Sequence, residues 1–263
     1  MSNMRDAAGR FVAEPLRNGC NFCMMHTVLF PREPVPAPIS IVVAYIDLET
    51  DSLDVISGKI VEIGTLVDGS HAMFSTVVHP GYDAHLDDVS VHGIPHEELQ
   101  RGPNFAEAFT RLEQFLQYAA LSVLDSDDDS EDGRSPAVMK QDVEVCVVAH
   151  NGAKFDFPFM LQECLRAGIV PASMLSWVYV DTLDVLRATD RAGECAKLQC
   201  ALRVCCGSPT LRAHRALDDC VALEAVVRHV SASLGIKPCE LLRPFAFRLD
   251  GASAIPQMNA LIA

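Results

Sequence analysis

The chain has 263 residues, which suits one large domain or two small ones, and 21 basic against 35 acidic side chains give a formal net charge of −14. Hydrophobic residues make up 49% of it, enough to build a core, which excludes a wholly disordered protein. No apolar run approaches the roughly 20 residues of a membrane-spanning helix, so we expect a soluble protein. The charge argues against coating nucleic acid by bulk attraction, but not against a few local contacts.

The N-terminal segment, residues 1–38, has no clear periodicity and ends in a proline-rich stretch typical of an extended, flexible linker. Cys20, Cys23 and His26 resemble half of a zinc site. A structural zinc site needs four ligands and no second pair follows at the usual spacing, so we do not expect zinc there.

The cysteines and the N-terminal composition bear on the cellular compartment. Several of the ten cysteines lie in apolar helical patterns and no secretory leader precedes them, which favours a reduced, intracellular protein. Three early arginines agree with a mitochondrial targeting segment, whereas Asp6 and Glu14 count against one. A mitochondrial or nuclear location therefore stays open.

Three strands are predicted at the start of the globular part, which begins at residue 39. Residues 41–46 form a continuous, largely β-branched run, typical of a central strand that is buried on both faces. Residues 59–67 and 71–79 are two further strands. The Asp68-Gly69 pair between them predicts a type I′ hairpin and therefore antiparallel pairing.

Helices and strands alternate over the rest of the chain. Asn104 and Glu107 predict a capped helix start, and six acidic residues within 125–132 predict a solvated, mobile loop over 125–136. The further predicted elements are helix 104–124, strand 143–149, a helix from Phe157 that ends before Gly168, strand 178–180, and helices near 192–204 and 215–234. This order predicts an α/β domain over 39–244 with a mixed five-stranded sheet flanked by helices, then an apolar tail over 245–263.

Acidic residues follow two of the predicted strands. Asp47 and Glu49 end the first strand, and alternation along a strand places both carboxylates on one face. Such a pair suits Mg²⁺ or Mn²⁺, although a solvated strand end is the simpler alternative. Asp156 closely follows the fourth strand, where its alternative role is the N-cap of the helix that begins with Phe157-Pro158.

A third group lies at the start of the last long helix. His214 is in the loop before this helix and Asp219 is in its first turn. Taken singly, His214 is explained as an exposed loop residue and Asp219 as compensation of the helix dipole.

The ordered combination is more specific than its parts. Asp47-x-Glu49, His150-Asn151 followed by Asp156, and His214 followed by Asp219 together resemble the DEDDh family of 3′→5′ exonucleases. Residues 59–63, 91–94, 180–183 and 197–198 support the resemblance, which covers the chain from about residue 39 to about residue 234.

The resemblance implies a ribonuclease H-like fold and a metal-dependent hydrolase. Two Mg²⁺ or Mn²⁺ ions are then held by Asp47, Glu49, Asp156 and Asp219 and flank the scissile phosphate, while His214 acts as general base. The implied product is a nucleoside 5′-monophosphate.

The resemblance also implies contacts with the substrate. Leu48 and Thr50 contact the terminal nucleotide, Ile94 packs on its base, and Asn151 helps to hold the strand. The alternative for Leu48 and Ile94 is ordinary core packing.

The expected partner is a single-stranded 3′ end of DNA or RNA, and the sequence does not choose between the two. Two other functions stay open: an exoribonuclease in RNA processing, and a catalytically idle module that binds strand ends or a protein. The family allows a homodimer, but the sequence identifies no self-complementary face.

Overall fold

The computed structural model describes residues 40–70, 72–81, 92–126, 143–191, 197–207 and 215–249. These residues build one five-stranded sheet in the order β3-β2-β1-β4-β5. Its strands are β1 (Ser40–Thr50), β2 (Ile60–Val67), β3 (Met73–Val77), β4 (Val143–Ala149) and β5 (Val178–Asp181).

The sheet is mixed, as predicted. β1 pairs antiparallel with β2 and parallel with β4, while β3 and β5 form the two edges. β1 is therefore the central strand, which explains its long apolar run: both of its faces are covered. The parallel pair β1 and β4 ends at the same edge of the sheet, where the predicted acidic residues lie.

The connection between β2 and β3 differs from the prediction in its turn. The two strands pair antiparallel as expected, but a type I′ turn is wrong. Val67 N–H donates to Ala72 O at 2.9 Å, and this bond encloses four residues where a type I′ hairpin encloses two. Of the Asp68-Gly69 pair, Gly69 alone has a positive φ, at 76°, whereas a type I′ turn needs positive φ at both central residues.

Eight α-helices and one 3-10 helix are described around the sheet. They are α1 (His96–Leu99), α2 (Phe105–Ser126), α3 (Asp156–Arg166), α4 (Ala172–Ser176), α5 (Thr182–Ala188), α6 (Leu198–Cys206), α7 (Ala216–Leu234), α8 (Pro238–Leu242) and the 3-10 turn Arg243–Phe245. The four long or amphipathic ones, α2, α3, α6 and α7, were predicted. The short helices were not, because so few residues show no helical periodicity.

Alternation along β1 divides the core between two helical layers. Ala44, Ile46 and Leu48 pack toward α2 and α3. Val43 and Tyr45 pack toward α6 and α7. The same parity places Asp47 and Glu49 on the α7 side of the sheet.

The predicted tail begins inside the domain. Phe247 N–H donates to Tyr179 O at 3.0 Å, and Tyr179 N–H donates to Phe247 O at 2.8 Å. Phe245 and Phe247 are both buried. Residues 245–249 thus extend the packed domain beyond the predicted boundary at residue 244.

Several predictions fall on residues that the structure does not describe. They concern the linker over 1–38, the Cys20, Cys23 and His26 group, the remainder of the tail, and most of the acidic loop over 125–136. The first two residues of that loop are helical, because α2 continues to Ser126. Across the described ranges, no helix is both long and apolar enough to cross a membrane.

One cysteine departs from the expectation of a fully reduced protein. Cys200, in the first turn of α6, is disulfide-bonded. The other described cysteines are free: Cys146, Cys164, Cys205, Cys206, Cys220 and Cys239.

Candidate active site

Three carboxylates meet at the end of the central strand. Asp47 and Glu49 extend from the α7 face of β1, and Asp219 extends from the first turn of α7. One oxygen from each lies within 4.8 Å of the others, and all three residues are half-buried. The sequence placed Asp47 and Glu49 together by strand alternation, and the packing of α7 on β2 adds Asp219 to them.

The crowded carboxylates resist ionisation. Burial, followed by the charges of Asp156 and Asp219, raises the pKa of Asp47 well above its ordinary value of 3.8. Burial and then the charge of Asp219 raise the pKa of Glu49 from 4.5 to about 8. A bound cation relieves this repulsion, and an all-oxygen donor set is the kind that hard divalent cations prefer. These residues therefore fit Mg²⁺ or Mn²⁺.

Asp156 is not one of the three carboxylates that lie within 4.8 Å of one another, but its charge acts on Asp47. It is the first residue of α3 and only 3% exposed. Its pKa is raised to about 8, mainly by burial, although a hydrogen bond from the Leu48 backbone opposes the shift. The alternative prediction of an N-cap is wrong, because Phe155 holds that position.

The loop that leads to Asp156 is fixed by a buried carboxylate at the end of β5. Asp181 Oδ1 accepts the backbone N–H groups of Asn151 at 2.8 Å and Leu183 at 2.9 Å, and its Oδ2 accepts that of Ala153 at 3.3 Å. These bonds hold Asn151 at φ 61°, in the left-handed region that non-glycine residues rarely adopt. Asp181 appeared in the sequence only as part of a supporting motif, and its bonds to this loop were not foreseen.

A glycine lets α7 approach the sheet. Gly64 in β2 lies opposite Asp47 in β1. A Cβ added at Gly64 would lie 2.4 Å from the carbonyl carbon of Ala216 and 2.5 Å from the nitrogen of Leu217, far inside contact distance. The first turn of α7 therefore rests directly on the β2 backbone, which brings Asp219 next to Asp47.

Gln199 in α6 touches the site and was missed by sequence reasoning. Its Nε2 donates to Asp219 Oδ1 at 3.0 Å, which fixes the rotation of that carboxylate. A glutamine in the first turn of a helix carries no sequence signal for such a role. Only the packing of α6 against α7 reveals it.

The predicted substrate contacts have different surroundings. Leu48 and Ile94 are buried in apolar clusters, which agrees with the alternative of core packing. The Thr50 hydroxyl donates to Ser52 O at 2.7 Å, and Asn151 is half-buried. His214 lies outside the described residues, so its role and those of the four substrate residues stay predictions.

A mixed five-stranded sheet flanked by helices, with a carboxylate cluster at the end of its central strand, defines a ribonuclease H-like α/β fold. Comparisons with known proteins agree. The family model described as Exonuclease matches residues 44–127. Exonuclease DPD1, chloroplastic/mitochondrial, from Arabidopsis thaliana is 28% identical over 204 residues, which are 74% of this chain and 58% of that protein. The chain thus spans less than two thirds of that relative's length.

Solved structures share the fold. Escherichia coli exonuclease I in complex with a dA16 oligonucleotide has a TM-score of 0.54 at 15% identity, covering 77% of this chain and 42% of that one. The zinc-bound E. coli exonuclease I complex with single-stranded DNA has a TM-score of 0.56 at 16% identity, covering 73% and 41%. The predicted fold and the predicted resemblance to the exonuclease family are both confirmed.

Proposed function

We propose that this chain is a metal-dependent 3′→5′ exonuclease that releases nucleoside 5′-monophosphates from single-stranded 3′ ends of DNA or RNA. The observation that carries the proposal is the carboxylate trio of Asp47, Glu49 and Asp219 at the end of the central strand. The match to the exonuclease family model and the Arabidopsis relative named as an exonuclease support it.

In this proposal, Asp47, Glu49, Asp156 and Asp219 hold two Mg²⁺ or Mn²⁺ ions. When bound, such ions neutralise charge on a scissile phosphate and lower the pKa of a coordinated water. The carboxylates set where the phosphate sits, Gln199 orients Asp219, and Asp181 holds the loop before Asp156. His214 takes the proton from the attacking water, a role that suits a side chain titrating near neutrality.

The proposed substrate is a strand end, because the overall charge of −14 opposes binding along a duplex. The exonuclease I structures of similar fold contain a dA16 oligonucleotide and single-stranded DNA, which supports a single strand as the ligand. The predicted contacts with the terminal nucleotide remain Leu48, Thr50, Ile94 and Asn151, of which Asn151 is the most accessible.

The test uses single-stranded DNA and RNA oligonucleotides of matched sequence, labelled at the 5′ or the 3′ end. With Mg²⁺ or Mn²⁺, we expect progressive shortening of the 5′-labelled strand and release of a labelled mononucleotide from the 3′ end. EDTA and the Asp219→Asn variant should each abolish both signals. If the protein binds the strands but leaves them intact with either metal, it is a catalytically idle binding module. If it degrades RNA alone, the result indicates an exoribonuclease in RNA processing.

We further propose an organellar location, supported by the chloroplastic/mitochondrial name of the Arabidopsis relative. Residues 1–38 fused to a fluorescent protein should direct it to an organelle. Diffuse fluorescence would contradict the proposed location and would not affect the proposed enzymatic activity. The boundary of that extension and the mobility of the acidic loop beyond Ser126 stay predictions.

A further inference from the structure

A buried carboxylate in β2 is paired with the residue that precedes α7. Glu62 is 1% exposed and lies opposite Glu49 in the sheet. A buried charge beside other acids is costly unless it is paired and hydrogen-bonded. Arg215 supplies the pair: its Nε donates to the two Glu62 oxygens at 3.1 and 3.2 Å, and its Nη2 donates to Oε1 at 2.8 Å.

The same carboxylate holds the first turn of α7. Ala216 N–H donates to Glu62 Oε2 at 3.0 Å, so Glu62 satisfies one of the free N–H groups at the helix start. The Arg215 carbonyl accepts Asp219 N–H at 3.1 Å. A continuous set of bonds therefore runs from β2 through Arg215 to the backbone of Asp219.

We propose that Glu62 and Arg215 are positioning residues that hold Asp219 at metal-binding distance from Asp47 and Glu49. This inference rests on the proposed function and deepens it. Neither residue belongs to the trio of ligand candidates; the pair acts through the start of α7.

The other half of α7 offers a matched control. Arg228 Nη2 lies 3.0 Å from Asp68 Oδ1, just beyond the end of β2, and Arg228 Nε donates to Glu224 at 2.9 Å. The same helix is thus tied to the same strand by a second arginine, remote from the carboxylate trio. The two arginines are similarly exposed, at 41% for Arg215 and 46% for Arg228, but Asp68 is 20% exposed and Glu62 only 1%.

The experiment compares the full-length protein with Arg215→Gln, Glu62→Gln and Arg228→Gln. Three quantities are measured: Mn²⁺ affinity by calorimetry, kcat and KM on a single-stranded oligonucleotide, and the thermal unfolding midpoint. Removing a group that orients a metal ligand typically costs about 10–100-fold in metal affinity or activity. We expect losses of that size in Mn²⁺ affinity and kcat for Arg215→Gln and Glu62→Gln, with KM less affected, and none for Arg228→Gln.

Glu62→Gln keeps the shape of the side chain and removes the buried charge, so it tests the pair even where Arg215→Gln does not fold. Wild-type Mn²⁺ affinity and kcat in a folded, less stable Glu62→Gln or Arg215→Gln protein would reduce the pair to a structural role and overturn the proposal. Equal losses in Arg228→Gln would do the same. If the wild type binds Mn²⁺ but degrades no strand, the proposed function fails while the affinities still decide the positioning role. A wild type that binds no Mn²⁺ overturns both.

Discussion

The two ends of α7 use the same chemical device in different surroundings. At its start, Arg215 ties the helix to Glu62, a carboxylate that is 1% exposed and next to the acidic trio. In its second half, Arg228 ties the helix to the partly exposed Asp68. Arg215 and Arg228 are similarly exposed, at 41% and 46%, so the two pairs differ in the burial of their carboxylates. An ion pair between exposed side chains contributes about 0–1 kcal/mol, whereas removing the partner of a buried carboxylate costs more because it leaves a charge unpaired. Burial therefore decides which of the two pairs affects the site.

The charge balance also differs between the two ends. Arg228 lies between two carboxylates, Asp68 and Glu224, each of which it contacts. Around the start of α7, Arg215 binds Glu62 and the more exposed Glu98, while Asp47, Glu49 and Asp219 crowd against one another. The site end thus has five carboxylates against one arginine, an excess of negative charge that a divalent cation would reduce, whereas the far end has two carboxylates against one arginine.

The largest expected effect is at the site end. Asp219→Asn removes one charge from the trio while keeping the shape of the side chain. Loss of several kcal/mol of transition-state stabilisation corresponds to a fall in kcat of about 1,000-fold or more. Single-turnover nuclease assays with saturating Mn²⁺ measure it, with Arg228→Gln as the control. Wild-type kcat in Asp219→Asn would remove Asp219 from the proposed machinery.

The next largest effect is expected from glycine substitutions near the two ends of α7. Gly64→Ala places a Cβ 2.4 Å from Ala216, and such overpacking typically costs about 1–3 kcal/mol of stability. Because α7 must shift away from β2, we expect kcat to fall as well.

The matched change at the other end is Gly69→Ala. Gly69 has φ 76°, and a Cβ added there would lie 3.8 Å from Arg228 Nη2, an ordinary van der Waals distance. Alanine at this position therefore costs about 1–2 kcal/mol through backbone strain alone. Urea denaturation and kcat of both variants separate the two effects. Loss of kcat in Gly69→Ala equal to that in Gly64→Ala would show that the nuclease rate follows stability, not the position of α7.

A smaller effect is expected at Gln199. Gln199→Met keeps the length of the side chain but removes the donor to Asp219 Oδ1. We expect a loss of about tenfold in Mn²⁺ affinity, the lower end for a group that orients a ligand, with little change in the unfolding midpoint. Calorimetric titration measures the affinity. An unchanged affinity would mean that the hydrogen bond from Gln199 does not orient Asp219 for metal binding.

The smallest effect is a pH dependence of stability without metal. The pKa of Glu49 is raised in the folded protein from 4.5 to about 8, so the folded state binds more protons than the unfolded state between these values. The free energy of unfolding in EDTA should therefore fall as pH rises from about 4.5 to about 8. Half-burial and solvent screening keep the change modest.

Urea denaturation from pH 5 to pH 8, with EDTA or with Mg²⁺, measures this slope. Mg²⁺ should flatten it, Asp219→Asn should reduce it, and Arg228→Gln should leave it as in the wild type. A slope that disappears in Arg228→Gln would place its origin at the far end of α7.

The sequence predicted the sheet and brought together two members of the trio because these features depend on local patterns. Continuous apolar runs located the strands that are buried on both faces, and the long helices showed their periodicity. Strand alternation placed Asp47 and Glu49 together, since side chains two residues apart on a strand share a face whatever surrounds them. The ordered motif then identified Asp156 and Asp219.

Only the tertiary structure decided what holds these residues in place. Glu62 and Arg215 are 153 positions apart in the chain, and Asn151 and Asp181 are 30 apart. Gln199 and Asp219 meet through the packing of α6 on α7, and Gly64 matters only because α7 lies against it. Local propensity reports the conformation of a segment and not its neighbours. The ligand candidates could therefore be found in the sequence, while the bonds that orient them required the fold.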